Sequence, residues 1–93
     1  MSELLEQIRS AILDGRYALS EHAYEEMDND RLDVLDVESS ALSGKIVQTL
    51  TDDERGSRYV IEGLACDQAT RVQVVTRFVK PDRLLVITVY QIR

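Results

Sequence analysis

The sequence predicts an α+β domain in which N-terminal helices pack on one face of a four-stranded antiparallel sheet. Three observations carry that expectation. Apolar residues recur at helical spacing as far as Gly44, alternate with a period of two from Lys45, and the alternating segments are separated by short polar turns. At 93 residues the chain buries only about 60–65% of its unfolded surface, which leaves one shared core and hence a single domain, with helices over about 3–43 and the sheet over about 45–92.

The first helix is expected from Met1 to Gly15, because Leu4, Leu5, Ile8, Ala11 and Ile12 fall on one face, with Ser2 to cap its start and Gly15 its end. Arg16 to Leu19 reads as a connection. Ser20 is a good N-cap for a second helix running to about Asn29, where Glu21 favours the dipole and Ala23 and Met27 are apolar partners. Asp33 and Asp36 have the spacing of a capping box, and Val34, Val37, Ala41 and Leu42 form a third stripe ending at Gly44.

Strands are then expected from Lys45 to Leu50, Arg58 to Ala65, Arg71 to Lys80 and Leu84 to Ile92, with turns over Thr51–Ser57, Cys66–Thr70 and Pro81–Arg83. In the third of these Val72, Val74 and Phe78 oppose Arg71, Gln73 and Arg77, as in a sheet covered on one side. In the last, Leu85, Ile87 and Val89 point one way and Leu84, Val86, Thr88, Tyr90 and Ile92 the other, which reads as a central or doubly covered strand.

Composition excludes several classes. The longest apolar run, Leu84 to Tyr90, is far shorter than the ~20 residues of a membrane span, and no signal pattern precedes it, so a cytoplasmic protein without membrane contact is expected. One cysteine, Cys66, and one histidine provide neither an internal disulfide nor a zinc set, and no phosphate loop or dinucleotide fingerprint occurs; no metal and no cofactor are expected. The net charge of −6 argues against non-specific nucleic-acid binding. The charge is uneven, however. Residues 1–50 carry four Lys and Arg against eleven Asp and Glu, whereas residues 51–93 carry seven against six, so the strands can still present a basic patch.

Chemistry could reside at few positions. His22 is the side chain suited to proton transfer near neutrality, although a lone histidine on an amphipathic helix is more often structural. Arg31 either pairs with Asp28 or Asp30 at the surface, worth about 0–1 kcal/mol, or offers a donor fork to a phosphate. Thr88 and Tyr90 lie about 6.8 Å apart on one strand face. They either bond backbone or water at the sheet edge or line a cleft between sheet and helices. Arg71 and Arg77, with Gln73, form either a solvated stripe or an RNA platform on which Tyr59 or Tyr90 would stack a base.

In order and spacing, Leu19-Ser20-Glu21-His22-Ala23 with Met27, Arg31-Leu32, Gly44, Arg58-Tyr59, Gly63 and Thr88-Val89-Tyr90 resemble a family of small bacterial domains of unknown function. That family is similar to RelE-like toxins of toxin–antitoxin modules. The resemblance covers about residues 17 to 91 and implies a metal-independent endoribonuclease. In it His22 and Tyr90 would handle protons, Arg31 would steady the phosphate, and Thr88, Arg71 and Arg77 would hold substrate. Where the family pattern has Arg before Met, this chain has Glu26. Implied partners are an antitoxin or another protein, RNA, or a second copy. The alternative reading is a non-catalytic acidic domain that docks a basic partner or itself.

Overall fold

The computed structural model describes residues 3–51, 54–80 and 82–93. Its elements are α1 (Glu3–Leu13), β1 (Tyr17–Leu19), α2 (Glu21–Asp30), α3 (Val34–Ser43), β2 (Lys45–Leu50), β3 (Arg58–Leu64), β4 (Arg71–Lys80) and β5 (Arg83–Gln91). The expected cap Ser2 and the turn residue Pro81 lie outside the described residues.

The sheet order is β1-β5-β4-β3-β2. The antiparallel run β2 to β5 is as expected, but the four-stranded, wholly antiparallel sheet is corrected to five strands, with β1 parallel to β5 through Tyr17↔Leu84 and Leu19↔Val86. Three residues are too few to display a period, so Tyr17–Leu19 reads as a connection until its partner is seen. Gly15 delivers it. With φ +73 this glycine takes the left-handed turn that ends α1, and Arg16 N–H bonds back to Ala11 O at 2.8 Å.

All three helices cover one sheet face. Ile8, Ala11 and Ile12 of α1 pack with Ala41 of α3 over Ile61 and Leu84, while Ala23 and Met27 of α2 pack over Val72, Val74, Val86 and Val89. Each fully buried aliphatic here contributes about 1.5–3 kcal/mol. The α3 helix begins with a true capping box, Asp33 and Asp36 each accepting the other's backbone N–H. It lies so close to β3 that a Cβ at Gly63 would stand 2.0 Å from the Ser40 carbonyl oxygen, hence glycine there.

One irregularity resets the pattern of β5. Val75 pairs with Thr88 but Thr76 pairs with Val86, so Ile87 is an extra, bulged residue. Val89 therefore joins Leu84 and Val86 under the helices, and Thr88 and Tyr90 fall with Leu85 on the other face. The expected parity of β5 is corrected accordingly. The strand is interior, as expected, but helices cover only one of its faces. Ser20 clamps the bulge to α2: its N–H bonds Val86 O at 2.9 Å, its Oγ donates to Ile87 O at 2.7 Å, and the same Oγ accepts Ala23 N–H at 3.0 Å.

Candidate functional site

The helix-free face of the sheet carries a row of polar side chains across three strands. Glu62 of β3 stands opposite Gln73 of β4, which stands opposite Tyr90 of β5. The Tyr90 hydroxyl donates to Gln73 Oε1, Gln73 Nε2 donates to Glu62 Oε1 at 2.9 Å, and Arg71 Nη2 donates to Glu62 Oε2 at 2.5 Å. The Arg71 bond, helped by that from Gln73, holds the Glu62 carboxyl below its ordinary value against the pull of desolvation. The row is thus a pre-paired network that ends in an arginine whose side chain is 58% exposed.

Around it, Thr88 faces Val75, and Arg77 faces Leu85 but is largely buried. Lys45 lies opposite Glu62 on β2 and is exposed. A hollow of about 290 Å³ opens where Lys45, Glu62 and Arg71 meet Ser43, Gly44 and Gly63. Four of the predicted site residues, Arg71, Arg77, Thr88 and Tyr90, therefore share one face. The expected cleft between sheet and helices is corrected, because the Ile87 bulge turns Thr88 and Tyr90 away from the helices.

The other two lie elsewhere. His22 sits in the first turn of α2, a helix that packs on the opposite face of the sheet through Ala23 and Met27. Its ring is 58% exposed, and Nε2 lies 4.0 Å from Glu26 Oε1. Arg31 ends the same helix in the left-handed conformation, φ 58, its N–H shared between Asp28 O and Met27 O. Nine residues of helix separate His22 from Arg31, about 13 Å along the axis. Asp30, beside Arg31, accepts the N–H of Gln91, beside Tyr90, at 2.8 Å, so that end of α2 lies against the end of β5 while His22 stands at the other end of the helix, and the three do not form one group.

Two groups escaped the sequence reading. Glu62 was legible only as a lone acid in an apolar strand, and its partners are set by sheet register. Tyr17 donates a hydrogen bond to Glu38 between β1 and α3, and burial, then Glu38, pushes its phenol up to about 12. Cys66 is exposed on the β3–β4 loop, and local desolvation and the Asp36 carboxylate push its thiol up, so it is not a poised nucleophile. Among the described residues no group of His, Cys, Asp and Glu is placed to hold a metal, and no helix is long and apolar enough to cross a membrane.

Fold and face together define a small α+β domain with one helix-covered and one helix-free sheet surface. Residues 19–91 match the family described as a domain of unknown function, DUF4258, and the chain belongs to that family. No curated protein and no solved structure matches the chain.

Proposed function

We propose that this domain binds single-stranded RNA on the helix-free face of its sheet, as a relative of RelE-like toxins that holds RNA without the proton-transfer pair that cleavage requires. The observation that supports the reading is the gathering of Arg71, Arg77, Thr88 and Tyr90 on one face, with Lys45 beside them. Arg71 and Lys45, the exposed cations of the face, would meet phosphate, and Tyr90 would supply a ring against a base, while Arg77 is largely buried. The acidity of the chain does not forbid this. The molecule is 23 Å across at its thinnest, whereas charges are screened over about 8 Å at physiological salt. Carboxylates on the far side of the helices therefore act weakly on the sheet.

Cleavage is not proposed because His22 stands at the other end of α2, about 13 Å along its axis from Arg31 and on the opposite side of the sheet from Tyr90, so no acid/base pair flanks a phosphate held by arginine. Fluorescence anisotropy with a labelled single-stranded RNA of about ten nucleotides tests the proposal, a length within the usual range for such platforms. Binding is expected at low salt with the RNA left intact. Arg71→Ala should weaken it and lower the salt slope by about 0.7, the share of one single-strand phosphate contact. Glu62→Gln, which releases Arg71, should tighten it. No binding by the wild type, or binding indifferent to Arg71→Ala, overturns the proposal.

A further inference from the structure

The opposite surface has its own character. Tyr24 on α2 is 50% exposed and Leu35 on α3 is 63% exposed, both large apolar side chains on the outer side of the helices. Ala23, beside Tyr24, and Val34, beside Leu35, pack in one cluster with Tyr17, whose hydroxyl donates to Glu38 one helical turn after Leu35, so the two helices lie together on one side of the sheet. Exposed carboxylates of Glu21, Glu25 and Asp28 surround Tyr24 on its own helix. Neither α2 nor α3 contains a lysine or an arginine.

We infer that this surface docks an amphipathic segment of a partner protein that is rich in lysine and arginine. The occupant follows from charge complementarity. On these two helices carboxylates outnumber cations even though Asp30 pairs with Arg93 at 3.3 Å, and the excess repels nucleic acid and anionic lipid and attracts ammonium and guanidinium groups. The two apolar side chains supply what charge alone lacks. A tyrosine and a leucine set among charges are anchor points for apolar residues of the partner, and Tyr24 also offers its ring face to a cation. The Tyr17–Glu38 hydrogen bond fixes a carboxylate one helical turn from Leu35, so that part of the surface is ordered before binding.

The test uses the full chain and a labelled peptide of about 15 residues, roughly four helical turns, with leucine and lysine at helical spacing. A second peptide has the same composition in scrambled order. The amphipathic peptide is expected to bind about tenfold more tightly than the scrambled one, and more weakly as salt rises. Tyr24→Ala and Leu35→Ser are each expected to weaken it several-fold while leaving RNA binding and the circular dichroism spectrum unchanged, since both side chains project into solvent. Equal affinity for the two peptides, or indifference to both substitutions, overturns the inference. So does a dimer, seen by sedimentation of the protein alone, that Tyr24→Ala dissolves, because the occupant is then a second copy.

Discussion

The two faces of this sheet are built from the same strands and held by different means. Under the helices, Ile61, Val74, Val86 and Val89 are fully buried and the contacts are aliphatic. On the other face their strand neighbours Glu62, Gln73 and Tyr90 are only half-buried, and a chain of hydrogen bonds joins them. Charge divides likewise, with carboxylates on the helices and arginines among the strands. One side thus carries the stability, and the other is free to carry recognition.

Neighbouring substitutions should expose that division most plainly. Ile61→Ala removes a fully buried side chain and is expected to cost about 2–5 kcal/mol in denaturant unfolding, whereas Thr88→Ala on the helix-free face should stay within about 0.5 kcal/mol. Similar costs for the two would break the contrast between the faces. Ser20→Ala comes next, because Ser20 both caps α2 and clamps the Ile87 bulge; a loss of about 1–2 kcal/mol is expected, read in the same experiment.

Titration sharpens the comparison on the helix side. Burial works to raise the Asp36 carboxyl, but backbone N–H groups of Cys66 and Asp33 bind it and hold it below its ordinary value. A lowered folded value stabilises above the unfolded carboxylate range near 3.9 and is lost as pH falls through the folded value. Asp36→Asn should therefore flatten the acid limb of a stability–pH curve. Tyr17 acts in the opposite sense. Its phenol, raised to about 12, contributes fully below about 10 and loses that contribution as pH climbs through the folded value, an alkaline dependence that Tyr17→Phe should remove. A small effect is also expected of Tyr90→Phe, which breaks one partly exposed hydrogen bond and should shift stability by under about 1 kcal/mol.

Much of the architecture was legible because it is local. The stripes of α1 to α3, the Ser20 cap, the Asp33–Asp36 box and the alternation of β4 are written within a few residues of one another. What escaped depends on distant partners. Tyr17–Leu19 becomes a strand only because Leu84–Val86 lies beside it, and the Ile87 bulge arises from the register with Val75 and Thr76 and the grip of Ser20. That single extra residue decides which face Thr88 and Tyr90 occupy, so their shared strand face was legible in the sequence but not the side of the sheet it lies on. His22 is legible as a residue of the second helix and Arg31 as one just beyond its end, and only packing tells which side of the sheet that helix covers.

Amide chemical-shift mapping during titration with single-stranded RNA tests the central claim most directly. Shifts are expected to concentrate at Glu62, Gln73, Thr88 and Tyr90, with the amides of His22 and Tyr24 still. Shifts centred on His22 and Arg31, with the helix-free face unmoved, would contradict it.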